Sequence, residues 1–207
     1  MKRLLLLAFV VGGLAQAAQP TPGSEWKRLD ANEPAPTFTL TSQDGKRVSL
    51  KDFRGKAVVL TFIYTECRDI CPVLPRIIDR TDQVLSEAER KKVRFVGISI
   101  DPRRDTPEKL RSFMQSHKLS PERWTLLTGS LREASKVADD YGIVAKPDLQ
   151  GDLVHNAVYV LIDPQGRLRT EFHGLFTPTQ EIAKALRQLL PRSPGPSPTK
   201  GEGRNKR

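Results

Sequence analysis

The run Ala57-Val58-Val59-Leu60-Thr61-Phe62-Ile63-Tyr64 constrains the fold more than any other feature. It is nearly continuous apolar sequence rich in β-formers, the mark of a central strand covered on both faces. A helical period follows almost at once. Leu74, Ile77, Ile78, Thr81 and Leu85 fall on one stripe, with Arg76, Asp79, Arg80 and Asp82 off it. A buried strand feeding directly into an amphipathic helix belongs to the α/β class, where helices cover a central sheet.

The rest of the chain extends that pattern. Two short alternating segments, 38–41 and 47–50, flank Asp44-Gly45 and predict an N-terminal β-hairpin. Val93 to Ile100 predicts a second buried strand. Thr106-Pro107 then opens a helix with proline in its first position. Trp124 to Leu127 predicts a short strand, and Ser130-Leu131-Arg132-Glu133 is a capping box for a helix ending near Tyr141-Gly142. Val154 to Ile162 predicts one strand and Leu168 to Phe172 another, across the turn Asp163-Pro164-Gln165-Gly166. Thr177-Pro178-Thr179-Gln180 caps a final helix running to Leu190. The alternation implies a mostly parallel central sheet with helices on both faces. The closing hairpin and helix resemble the C-terminal half of a thioredoxin fold, so a thioredoxin-like α/β domain is expected over residues 35–190.

Both cysteines of the 207-residue chain, Cys67 and Cys71, lie between the first buried strand and its helix. Such junctions present side chains and backbone N–H groups to a surface crevice. Pro72 pushes Cys71 out of the α region, so Cys71 is expected at the N-cap with Pro72 as the first helical residue. The helix dipole then favours thiolate over thiol, the form that binds metal or attacks a disulfide. As a staple the pair is weak, because closing so short a ring contributes only about 2 kcal/mol. Disulfide sulfurs sit about 2.05 Å apart, whereas thiolates sharing a metal with bonds of about 2.3 Å stand about 4 Å apart. The one-residue-wider spacing than C-x-x-C suits metal a little better, and still permits disulfide closure. Soft thiolates select Cu(I), and an added imidazole extends such a site to Cu(II).

The ends of the chain narrow where it works. Met1-Lys2-Arg3, the apolar stretch Leu4 to Leu14 and Ala15-Gln16-Ala17 predict a signal peptide over residues 1–17. Its apolar part is well short of the roughly 20 residues that span a bilayer. An exported, periplasmic or otherwise extracytoplasmic protein follows, soluble or loosely membrane-associated. Residues 18–34 read as a lead-in, and 191–207 as a disordered basic Pro/Gly/Ser tail. The net charge of +10 sits largely in the signal peptide and the tail; without these two, residues 18–190 carry only +4, with both signs interspersed. That surface is not a nucleic-acid footprint, while the tail could touch an anionic membrane.

Of the three histidines, His117 reads as a helix-end residue and His173 as a surface turn residue, and His155 opens the strand predicted from Val154. Four motifs then occur in order: Thr61-Phe62-Ile63-Tyr64-Thr65-x-Cys67-x-Asp69-x-Cys71-Pro72, Ser99-Ile100-Asp101-Pro102-x-Arg104-Asp105-Thr106-Pro107, Tyr141-Gly142-Ile143 and His155-x-x-x-Tyr159-x-x-Asp163. Together they resemble the Sco/SenC family of copper proteins across the whole body of the chain. The resemblance implies a thioredoxin-like fold binding one copper per chain, as Cu(I) and Cu(II), through Cys67, Cys71 and His155. It makes Asp101 a candidate supporting residue behind those ligands. It further implies delivery of copper, or of reducing equivalents, to the dinuclear Cu-A centre of cytochrome c oxidase, with subunit two or another copper-accepting protein as partner. Such a protein is a metallochaperone rather than an enzyme that turns over. Arg68 stands where the family usually has proline, and Asn156 where a small hydroxyl residue often follows the histidine. Two other uses of the thiols remain: a thiol–disulfide oxidoreductase acting on partner cysteines, and a peroxiredoxin-like peroxidase. The peroxidase is disfavoured because Tyr64 occupies the place, three residues before the cysteine, where that family has Thr or Ser.

Overall fold

The computed structural model describes residues 25–28, 33–67, 73–147, 153–174 and 177–190. The predicted signal peptide, the basic tail and Cys71 lie outside the described residues.

Three strands form the centre of the main sheet, parallel to one another: β4 (Ala57–Ile63), β5 (Val93–Ser99) and β6 (Trp124–Thr128). Every residue of β4 is buried, as its apolar run requires. Its side chains alternate between two cores. Ala57, Val59 and Ile63 face one, and Val58, Leu60 and Phe62 the other. The first core is closed by α1 (Val73–Gln83) through Leu74 and Ile78, α3 (Pro107–Ser116) through Leu110, Phe113 and Met114, and α5 (Thr179–Leu189) through Ile182, Ala183 and Leu186. The second is closed by α4 (Leu131–Asp140) through Val137 and Ala138, and by Leu50 and Phe53 of a one-turn helix. Gly97 in β5 is required by packing, since a Cβ there would lie 2.7 Å from Leu126 Cδ2.

The parallel register expected from the alternation is confined to these three strands. On one side β6 pairs antiparallel with β2 (Thr39–Ser42), which forms the predicted hairpin with β3 (Arg47–Ser49). Gly45, at φ +76°, supplies the left-handed turn residue. On the other side β4 pairs antiparallel with β9 (Val158–Ile162), which pairs with β10 (Leu168–His173). Residues read as a lead-in add an edge strand, β1 (Glu25–Arg28), antiparallel to β10. A four-residue helix, α2 (Glu87–Arg90), sits on its own capping box before β5.

Two local expectations are corrected. The single strand predicted from Val154 to Ile162 is broken at Asn156-Ala157. Its first part, β8 (Leu153–His155), leaves the main sheet and forms a separate hairpin with β7 (Ala145–Pro147). The reason is local: Asn156 Oδ1 accepts from Val144 N–H at 2.9 Å, and its amide nitrogen donates to Gly142 O at 3.4 Å. The side chain thereby binds the chain entering β7. At the last helix, Pro178 is the N-cap and makes no side-chain cap. The Thr177 hydroxyl instead donates back to Gly174 O at 3.3 Å.

Candidate metal centre

Where β4 ends, the chain turns over Tyr64-Thr65-Glu66-Cys67, closed by Cys67 N–H donating to Tyr64 O at 3.3 Å. The half-buried Cys67 packs against the first core, at the C-terminal end of a central parallel strand. Residues of the β5–α3 connection and α3 grip the two central positions of this turn. Thr65 donates its backbone N–H and its hydroxyl to the Asp105 carboxylate, the latter at 2.6 Å. Glu66 accepts from Lys109 Nζ at 2.9 Å and from Arg104 Nη1 at 3.0 Å. These contacts, led by the Lys109 hydrogen bond, hold the Glu66 carboxyl below its ordinary value. The Arg104 guanidinium also lies 6.0 Å from the centre of the Tyr64 ring.

His155 reaches the same place from the other end of the fold, at the root of the β7–β8 hairpin, and is only 5% exposed. Its ring meets Tyr64 edge-on, centroids 6.2 Å apart at 67°. Tyr64 thus touches both halves of the site, bonding Cys67 through its carbonyl and His155 through its ring. His155 Nδ1 lies 3.0 Å from Asn156 O. A carbonyl only accepts, so Nδ1 carries the hydrogen and the lone pair falls on Nε2. Burial pulls the imidazole pKa below its usual value, against the Asn156 carbonyl and the adjacent Cys67, which both favour the cation. A neutral buried imidazole beside a sulfur is the donor chemistry a soft or borderline metal needs.

The structure therefore brings Cys67 and His155 together. Among the described residues no three His, Cys, Asp or Glu side chains form a cluster able to hold a metal; the third expected donor, Cys71, lies outside them. Asp101 is buried at the rim and binds Arg104, whose Nε donates to its carboxylate and whose Nη1 reaches Glu66 of the Cys67 turn. His117 caps the C-terminal end of α3, with Nδ1 2.9 Å from Phe113 O and its ring stacked on Phe113. His173 ends β10 beside Glu171 at 3.2 Å. Neither joins the site. The residue missed in sequence is Asp105, which binds Thr65 directly, whereas Asp101 reaches the turn through Arg104. Its sequence signals are membership of the Ser99-to-Pro107 motif and a carboxylate directly before the Thr106 N-cap, at the mouth of a buried strand.

The SCO1/SenC family model matches residues 27–191. The chain belongs to the SCO1/SenC family. It is 35% identical over 150 residues to the SCO1 protein homolog of Bacillus subtilis (strain 168), covering 70% of this chain and 77% of that one. Among solved structures it is similar to Bradyrhizobium japonicum ScoI with copper bound, at 33% identity and a TM-score of 0.65, covering 76% of this chain and 99% of ScoI. It is also similar to BsSco, a member of the Sco family of cytochrome c oxidase assembly proteins in which a disulfide switch was identified. There the identity is 30% and the TM-score 0.66, over 77% of this chain and 94% of BsSco. The thioredoxin-like fold and the family expected from the four motifs stand on these matches and on the observed topology.

Proposed function

We propose that this protein is a copper carrier that takes one ion between Cys67, Cys71 and His155. It passes that ion to a copper-accepting partner, the Cu-A centre on subunit two of cytochrome c oxidase. The observation that carries the reading is that Cys67 and a buried, neutral-leaning His155 both meet Tyr64, the first at its backbone carbonyl and the second at its ring, with Cys67 near enough to act on the imidazole charge. Two thiolates suffice for Cu(I), and the imidazole makes Cu(II) tolerable. The copper-bound ScoI relative supports the same cargo. Exchange of ligands with a partner needs a reachable site, and Cys67 lies at the end of the sheet on a turn whose central residue, Glu66, is exposed. The work belongs outside the cytosol, with the N-terminal segment acting as an export signal. No described helix is long and apolar enough to cross a membrane.

The test is copper titration of the full chain against His155→Ala. The variant should keep Cu(I) and lose Cu(II) affinity by about tenfold or more, the scale of an altered metal shell. Unchanged Cu(II) affinity removes the histidine from the ligand set.

The disulfide switch of the BsSco relative favours a second use of the thiols, exchange with partner cysteines. That role requires a Cys67–Cys71 reduction potential near the poise of its compartment. A value far below it leaves the disulfide inert and this reading without support.

A further inference from the structure

The Asp105 carboxylate joins two segments. Oδ1 accepts from the Thr65 hydroxyl at 2.6 Å and from Thr65 N–H at 3.1 Å, while Oδ2 accepts from the Ser99 hydroxyl at 2.5 Å and shares the Thr65 N–H at 3.2 Å. Ser99 and Thr65 lie at the C-terminal mouths of β5 and β4, whose register pairs Ile63 with Ser99. The Asp105 backbone is fixed in turn, its N–H donating to Asp101 O at 2.9 Å. The Ser99 hydroxyl also accepts from Asp101 N–H at 3.0 Å.

Such an arrangement is costly. Asp105 is 1% exposed, and burial works against its charge. Among the described residues its hydrogen-bond partners are neutral hydroxyls and an amide, with no guanidinium or ammonium bonded to it. An apolar side chain would fill the same space at lower cost. What an apolar residue could not do is take three donors from two strand ends and hold the Tyr64–Cys67 turn in one shape.

We propose that Asp105 is the positioning residue for the Cys67 thiol, acting through Thr65. It locks the turn after β4 to the end of β5, so the sulfur stands beside His155 before any ligand arrives. The consequence for copper rests on the function proposed above; the clamp itself does not.

The test uses the full chain with Thr65→Val, which removes the hydroxyl donor and keeps volume and backbone N–H, and with Thr65→Ser, which restores the hydroxyl. Asp105→Asn is the third variant. Amide exchange of residues 65–67 is measured without metal, and the release rate of Cu(I) to a competing chelator with it. Thr65→Val and Asp105→Asn should each raise both by about tenfold, the scale of a lost hydrogen bond to a charged acceptor. For Thr65→Val the urea midpoint should fall by no more than that same tenfold change in the folding equilibrium, exchange in α3 should rise no further than this global loss, and Thr65→Ser should return both readouts to within about twofold of wild type. Copper release at the wild-type rate from Thr65→Val, or failure of Thr65→Ser to rescue, overturns the proposal. If wild type takes up no copper, the function proposed above falls and the clamp is judged on exchange alone: protection lost in Thr65→Val and regained in Thr65→Ser upholds it, and unchanged protection overturns it.

Discussion

Tyr159→Phe should stabilise this protein, although it deletes a polar group from one of the family-like motifs. Tyr159 is 0% exposed in β9, opposite Thr61 of β4 and Phe172 of β10. Its ring belongs to the core closed by Leu74 and Ile78 of α1 and Ile182 of α5. Among the described residues the hydroxyl has no hydrogen-bond partner, and burial raises the phenol pKa above its usual value. A buried hydroxyl left unpaired costs about 1–3 kcal/mol. Phenylalanine keeps the ring and removes that cost, leaving a gap of one oxygen whose lost packing offsets part of the gain. The net expectation is about 1 kcal/mol of added stability, or an upward shift of about 2–4 °C in Tm for a domain of this size. Urea unfolding followed by circular dichroism measures it, with the slope unchanged so that the midpoint reports stability alone. A loss of about 1 kcal/mol or more would show that the hydroxyl is bonded in the native protein, and the account of this core would be wrong.

Two further outcomes follow from the hydrogen-bond geometry. Glu133 accepts from Ser130 N–H and Ser130 Oγ at 2.8 Å each and from Arg47 at 2.8 Å, which hold its pKa down to about 2 from 4.5. Folding therefore favours the deprotonated form: its contribution is full above pH 4.5 and fades as pH falls towards about 2. With 37% of the side chain exposed, solvent screening limits the effect to about 1 kcal/mol. Between pH 6 and pH 3 wild type should lose more stability than Glu133→Gln, and parallel urea midpoints would contradict this. Asn156→Ala should speed amide exchange at Val144 by about fivefold to tenfold, one hydrogen bond's worth, with little change in the global unfolding midpoint. Unaltered exchange at Val144 would mean that the Asn156 side chain does not organise the entry to β7.

Features set by near neighbours were readable from the chain, and features set by distant pairing were not. The caps at Thr106 and Ser130 appear as written, because each is a contact between residues three apart. β4 appears as written because an unbroken apolar run has few other uses. The two flanking hairpins left turn signals, but their antiparallel junctions with the central strands leave no comparable trace, since nothing in β9 says that β4 runs beside it in the opposite sense. β7 is the clearest case. Ala145, Lys146 and Pro147 are all exposed, so no apolar alternation marks a strand, and only pairing with residues 153–155 makes it one. The same gap misplaced His155, read at the start of a main-sheet strand running from Val154 when it sits at the root of a separate hairpin. Asp101 and Asp105 occupy the same motif, and only the fold shows which of them reaches Thr65.

The two halves of the site are consequently supported in different ways. The thiol half is tied to adjacent parallel strands by a buried carboxylate. The imidazole half rides on a two-stranded hairpin outside the main sheet, whose outer residues Val144 and Val154 are 57% and 54% exposed. Its described ties to the body include the edge of Tyr64 and the two Asn156 hydrogen bonds. Local opening is cheapest where few apolar contacts are buried and backbone hydrogen bonds face solvent. On the copper reading, Cys67 stands on the sheet and His155 on the hairpin, so opening of the hairpin moves the imidazole and leaves the Cys67 sulfur in place. A three-ligand site with one member on a separate element can keep its cargo through a change of oxidation state and still release it. Uniformly rigid support would favour retention over transfer.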